Sequence, residues 1–165
     1  MGGFYTTKLN ESGTYSLVST GKEGQMTEQQ QAFYEAVNGV MTGAKDVSII
    51  AVMNDDKIDF GSFSSGTIDV GDMQKFNSIN DKNPSGSTRE GLLAHELVEQ
   101  NELQTSNVNR ADEQAKLDAF RPMHRKAIEV ENKVNGNIRM VDMEGGRFSD
   151  KTYTKTYLGK KWGHY

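Results

Sequence analysis

The sequence predicts an α+β domain, a small, mostly antiparallel sheet packed against helices. Three observations lead there. Apolar residues recur at helical spacing in three capped stretches. Between the first and second of these lies a group of short β-branched or alternating runs closed by turn residues. The 165 residues, 35% of them hydrophobic, suffice for one core of ordinary size and leave two domains cramped.

Met1 to Gln25 is rich in Gly, Ser and Thr, and Gly13-Thr14-Tyr15-Ser16-Leu17-Val18 alternates only weakly. Residues 1–26 therefore read as an N-terminal arm or edge strand. Thr27 stands three residues before Gln30, a capping-box arrangement, and Phe33, Val37, Val40 and Met41 follow at helical spacing up to Gly43. This predicts a helix over about Glu28 to Thr42. Val47 to Met53 has the length and β-branched composition of a buried strand, and Asn54-Asp55-Asp56 closes it. Ile58 to Phe63 and Thr67 to Asp72 alternate around Ser64-Ser65-Gly66, as in a hairpin. Met73 to Ser87 lacks periodicity, with Asn83-Pro84-Ser85-Gly86 as loop, before Ser87 or Thr88 caps a second helix. A polar loop over about Thr105 to Glu113 precedes a third helix, from about Pro122 to Val134, with Pro in the first turn and Asn135-Gly136 at the exit. Thr152 to Leu158 is a plausible final strand. No internal repeat is visible.

The formal charge of −4 and pI near 5.4 leave no broad basic surface, although Lys155, Lys160 and Lys161 gather near the C-terminus, so nucleic acid is not an expected partner. There are no cysteines, which removes disulfides, thiolate metal sites and cysteine nucleophiles together. Any metal must be held by His and carboxylate. No apolar run approaches the roughly 18 residues that cross a bilayer, and the start lacks the basic and apolar regions of a signal peptide. We therefore expect a soluble chain without membrane insertion. Met1-Gly2-Gly3 fits the loose pattern for N-myristoylation, and a trimmed start explains it better.

The chemistry is carried by two of the helices. In Gly91-Leu92-Leu93-Ala94-His95-Glu96-Leu97-Val98-Glu99-Gln100, successive residues step about 100° around the axis. Leu93, Ala94, Leu97 and Val98 share one arc, and His95, Glu99 and Glu102 the opposite one. This is a His-Glu-x-x-Glu helix, one residue from the His-Glu-x-x-His signature of zinc hydrolases, in which the first and fifth positions bind metal and the second is a general base. In the third helix, His124 and Glu131 fall inside the apolar arc of Met123, Ala127, Ile128, Val130 and Val134. A carboxylate on a core-facing stripe needs a partner. One shared site satisfies both helices. His95, Glu99 and His124 bind one Zn2+, water takes the fourth position and Glu96 is the catalytic base. Glu131 buttresses a ligand from behind or replaces one. Two plainer readings stand beside it. A half-polar face is what any surface helix shows, and a buried His–Glu hydrogen bond needs no metal. The chain would then be a non-enzymatic binding module with a structural metal site or a metal-free His–Glu network.

Asp69 and Asp72 are weaker cation candidates, and Tyr153, Tyr157, Arg147 and His164 are candidate oxyanion stabilisers among which spacing does not choose.

The stretch Gly91 to Gln100, taken with Met123 to Gly136 and with Gly66-Thr67-Ile68-Asp69-Val70-Gly71-Asp72, resembles the C-terminal modules of bacterial Rhs/YD-repeat proteins, many of which look like zincin-type metallopeptidase toxins. The resemblance spans about Thr27 to Gly136. It implies a zincin-like fold and makes residues 27–165 a metallopeptidase domain with His95, Glu99 and His124 as ligands and Glu96 as the catalytic carboxylate. It further implies a toxin or effector secreted or delivered into a target cell as part of a larger bacterial protein, acting on a protein or peptide substrate and restrained by a cognate immunity protein. In zincin-like folds a sheet edge above the cleft can pair with an extended peptide, which makes Ile68, Asp69 and Val70, in the Thr67 to Gly71 strand, the candidate substrate-binding edge. Glu99 is the departure from the His-Glu-x-x-His pattern, and it adds negative charge at the metal.

Overall fold

The computed structural model describes residues 3–13, 15–82 and 86–136. The chain begins with an antiparallel hairpin of β1 (Tyr5–Leu9) and β2 (Tyr15–Ser19), Leu9 facing Tyr15 and Tyr5 facing Ser19. It is a two-stranded sheet of its own. Most of β1 is exposed, so no apolar alternation marks it in the sequence. The hairpin rests on helix α1 (Glu28–Met41) through Leu17 and through Tyr5, whose ring centroid lies 4.3 Å from that of Tyr34. The expected capping box is formed: Gln30 N–H donates to Thr27 Oγ1 at 3.2 Å, and Thr27 N–H donates to Gln30 Oε1 at 3.0 Å. Thr42 is the C-cap.

A second, three-stranded sheet has the order β3-β5-β4. Its strands are β3 (Ile50–Val52), β4 (Gly61–Ser62) and β5 (Thr67–Asp69). The β4–β5 pair is the expected hairpin, antiparallel and shorter than the sequence suggests, whereas β3 joins β5 in parallel. The buried strand expected at Val47 to Met53 is instead a short edge strand, with Ile50 58% and Met53 61% exposed. Its composition suits a pleated surface, but burial depends on position in the sheet. The central place goes to β5, all three residues of which are buried.

The chain leaves β5 at Val70 to form the short helix α2 (Val70–Met73), where the sequence suggests that the strand continues. Asp69 causes the turn. Its buried carboxylate accepts backbone N–H groups from Asp72 (3.1 Å), Asn54 (2.9 Å) and Asp55 (2.6 Å), which caps α2 and ties down the turn after β3. Burial by itself pushes the Asp69 pKa up, and these backbone donors outweigh it and hold the group below its ordinary value. A depressed native pKa gives stability that is present above the unfolded carboxylate value of about 3.9 and is lost as pH falls through the native one. Asp69→Asn should therefore cost about 2–4 kcal/mol at neutral pH. In urea unfolding at pH 7 and pH 3, the gap between wild type and variant should narrow at the lower pH.

Helix α3 (Arg89–Thr105) starts at Thr88, whose Oγ1 accepts the Gly91 N–H at 3.1 Å. Helix α4 runs over Glu113–Asn135, nine residues earlier than the Pro122 start read from the sequence. Asp112 is the true cap, its carboxylate accepting N–H groups from Gln114 and Ala115. Pro122 lies inside the helix, where it cannot supply the N–H that Asp118 C=O would accept. The far end behaves as expected, with Gly136 as left-handed C-cap at φ 68°.

Two apolar clusters meet on α3. Phe33 and Val37 of α1, Ala94 of α3, Val134 of α4 and Ile79 form one; Ile68, Met73, Phe76 and Leu92 form the other, and Leu93 and Leu97 pack against both. Thus α3 is the central element, covered by the sheet on one side and by α1 and α4 on the other. Small residues let α3 and α4 approach closely. Ala94 and Ala127 are fully buried, and a Cβ on Gly91 would overlap the Asn135 side chain. That amide's Oδ1 instead accepts Thr88 N–H at 2.9 Å and Thr88 Oγ1–H at 2.8 Å, locking the start of α3 to the end of α4.

Candidate metal centre

The α3–α4 crossing buries the polar arc of α3. His95 is 4% exposed and Glu99 2%, so these residues do not form the solvated face of a surface helix. Helical spacing puts them one turn apart, and α4 supplies His124 opposite them. One ligand atom from each residue, His95 Nε2, Glu99 Oε1 and His124 Nδ1, lies within 4.8 Å of the others. His95 Nε2 is 3.2 Å from both other atoms, and Glu99 Oε1 touches His124 Nδ1.

Three lone-pair atoms converging in a buried pocket repel unless protons or a cation lie between them. Ligand atoms about 2.0–2.1 Å from a tetrahedral Zn2+ stand about 3.3 Å apart. The two 3.2 Å separations match that edge, whereas Glu99 and His124, in direct contact, must move apart for an ion to enter between them. Two imidazoles and one carboxylate form the His2Glu composition of catalytic zinc sites. Here the carboxylate shares the first helix with His95, and the second imidazole comes from α4. The residues present therefore form a possible metal-binding group of three, whose donor set suits zinc.

Glu131, read from the sequence as a buttress or a replacement ligand, is not among the three converging residues. Its fully buried carboxylate meets the far side of the His95 ring, with Oε2 2.9 Å from Nδ1, while Ser87 Oγ (3.4 Å) and Asn135 Nδ2 (3.3 Å) approach Oε1. A carboxylate on Nδ1 keeps the proton there and leaves the Nε2 lone pair for a metal. Without metal the ring is instead held as the doubly protonated cation, so a metal would have to displace the Nε2 proton. Burial alone would lower the His95 pKa, but Glu131 and Glu99 push it up to about 10. Burial would likewise raise Glu99, and His124 and His95 bring it down to about 2. Without metal the cluster is a charged hydrogen-bond network, which offsets the several kcal/mol per ion that burying these groups costs.

Glu96 is held apart from the three converging atoms. Half-buried, it lies against β4, and its carboxylate fills the space that a Cβ on Gly61 would need. The strand itself is fastened to α3 by Gln100, whose Nε2 donates to Phe63 C=O at 2.9 Å. On the other flank the His124 ring packs at 4.8 Å on Phe120, which meets Phe63 edge-on at 5.0 Å.

The proposed substrate edge is corrected. Ile68 and Asp69 lie on the central strand and are 2% and 0% exposed, and Val70 already belongs to α2. Both hydrogen-bonding sides of β5 are taken by β3 and β4, so it cannot pair with a peptide. The edges of this sheet are β3 and β4. Asp72, the other acidic candidate in that stretch, is paired with Lys75. Arg147, Tyr153, Tyr157, His164, the strand at Thr152 to Leu158 and the three C-terminal lysines lie outside the described residues.

Sequence reasoning missed Gly61, Phe63 and Phe120. Phe120 carried a usable signal, since it precedes His124 by one helical turn, but starting the helix at Pro122 hid it. Gly61 carried none, because its role depends on a contact between distant segments. Among the described residues no helix is long and apolar enough to cross a membrane. Comparison of the chain with protein-family models, with curated proteins and with solved structures gives no match.

Proposed function

We propose that this protein is a zinc-dependent metallopeptidase with a zincin-like site. His95, Glu99 and His124 hold the ion, and Glu96 activates the water. The observation that carries the reading is the convergence of His95 Nε2, Glu99 Oε1 and His124 Nδ1, with Glu131 fixing the His95 tautomer from behind. Bound zinc would polarise the scissile carbonyl and make its water acidic. Glu96 takes the proton from that water and passes it to the leaving amine. Gly61 lets the Glu96 carboxylate lie flat against β4. Accordingly, Gly61→Ala should lower kcat about 100-fold with little change in zinc content, because it displaces the base without touching a ligand.

The further role as a toxin or effector domain, delivered by a larger bacterial protein and neutralised by an immunity protein, rests on the Rhs/YD-repeat resemblance alone. A long repeat-bearing sequence upstream of the gene and a small gene downstream would support it.

Metal analysis tests the core of the proposal. Purified protein supplied with zinc should hold about one equivalent, and His124→Ala less than about 0.1. Zinc-loaded wild type should also fragment a denatured proteome. A wild-type content below about 0.1 equivalent after zinc is supplied sinks the metal reading in favour of a metal-free network. Full zinc without cleavage leaves a structural site in a binding module.

A further inference from the structure

Glu96, Gln100 and Gln104 follow one another at four-residue spacing on α3, which puts them one above the other on one face of the helix. Each meets the three-stranded sheet or the chain leading into it. Glu96 lies against Gly61. Gln100, 2% exposed, donates from Nε2 to Phe63 C=O at 2.9 Å and more distantly to Ser62 C=O at 3.4 Å. Gln104 takes both backbone groups of Ser48: Ser48 N–H donates to its Oε1 at 2.8 Å, and its Nε2 donates to Ser48 C=O at 2.8 Å. The same Nε2 donates to Gln100 Oε1 at 3.0 Å, so the two amides are joined in series. The turn between β4 and β5 closes on them at Gly66, which has φ 70° and where a Cβ would stand 3.2 Å from Gln100 Oε1. One connected pair of amides thus ties the approach to β3 and the end of β4 to the same helix.

Strand β4 has little else to hold it at a set distance from α3. It is two residues long, and β5 is its neighbour on one side only. That pairing fixes its register, Gly61 to Ile68 and Ser62 to Thr67, but not its height above the helix. An apolar side chain at position 100 would fill the same space without direction, whereas a buried amide must be hydrogen-bonded and its bonds are directional. Gln100 stands one turn beyond Glu96, and Ser62 and Phe63 directly follow Gly61. The strand is therefore pinned to α3 within one helical turn of the Glu96 carboxylate. We infer that Gln100, steadied by Gln104, is a positioning residue for Glu96: it sets the height of β4 above α3, and with it the space beside Gly61 in which that carboxylate lies. The inference rests on the metallopeptidase reading, in which Glu96 is the base, and adds to it the group that places the base. A general base works only within hydrogen-bond reach of the proton it takes, and a misplacement of about 1 Å costs about 100-fold in rate.

Gln100→Met keeps the length of the side chain and suits a buried position, but it cannot donate. In the zinc-loaded full chain it should lower kcat about 10- to 100-fold, with KM for a fluorogenic peptide changed less than about threefold and zinc content unchanged. Hydrogen exchange over Gly61 to Phe63, followed by mass spectrometry, should quicken by about tenfold or more. A purely structural role would also speed exchange, so a double-variant cycle decides between the two. In Glu96→Gln there is no base left to place, and adding Gln100→Met should lower the residual cleavage by less than about threefold. Gln104→Met removes the support and leaves Gln100 in place. It should lower kcat about 3- to 10-fold, and it carries the test if Gln100→Met misfolds. Unchanged exchange in Gln100→Met, unchanged kcat in a variant that folds, or a full further loss on top of Glu96→Gln overturns the inference and leaves the metallopeptidase reading standing. A zinc-loaded wild type that cleaves nothing overturns that reading, and the inference with it.

Discussion

Glu96→Gln is expected to reduce peptide cleavage by about 100- to 10,000-fold while zinc content and folding stay at wild-type levels. The expectation follows from where the carboxylate stands. His95 Nε2, Glu99 Oε1 and His124 Nδ1 converge without it, so the change removes no ligand. The amide has the same shape as the carboxylate and still fits against Gly61, the position where even a methyl group would collide. What it lacks is a lone pair basic enough to take a proton from water. If the loss is a property of the base, it should fall on kcat, with KM for a fluorogenic peptide changed less than about threefold. A variant that produced the same fragments at the wild-type rate would show that another group is the base.

Glu131→Ala is expected to weaken zinc binding about 10- to 100-fold, and to destabilise the zinc-free protein by about 3–5 kcal/mol. Two separate effects combine here. Glu131 Oε2 sits 2.9 Å from His95 Nδ1 in a fully buried position, so truncation strands an imidazole that burial disfavours as a cation and that then has no fixed tautomer. It also removes the acceptor near Ser87 and Asn135, residues at the junction of α3 and α4. Glu131→Gln separates the effects. Its amide oxygen can still accept the Nδ1 proton, so affinity should recover to within about tenfold of wild type although the charge is gone. Chelator competition gives the affinity, and urea unfolding of stripped and loaded protein gives the stability, the loaded form gaining by mass action. Wild-type zinc affinity in Glu131→Ala would show that Glu131 only packs the core.

The sequence by itself determined whatever depends on local periodicity and capping. The Thr27–Gln30 box, the hairpin around Gly66 and the Gly136 stop are each set by a few neighbouring residues. The four-residue spacing of His95 and Glu99 and the seven-residue spacing of His124 and Glu131 put each pair on one helix face, and a His–Glu pair on the core-facing arc of the later helix asks for the polar arc of the earlier one as its partner. Which groups then touch was decided by tertiary structure alone. Glu131 lies behind His95 instead of beside the metal position because the helices cross where Gly91, Ala94 and Ala127 let them approach. Asp69, read as part of a substrate edge, became a structural knot once β5 took the centre of the sheet. Val47 to Met53 and Pro122 misled for one shared reason. Composition reports what conformation a segment tolerates, while burial and helix length depend on what the rest of the chain packs against it.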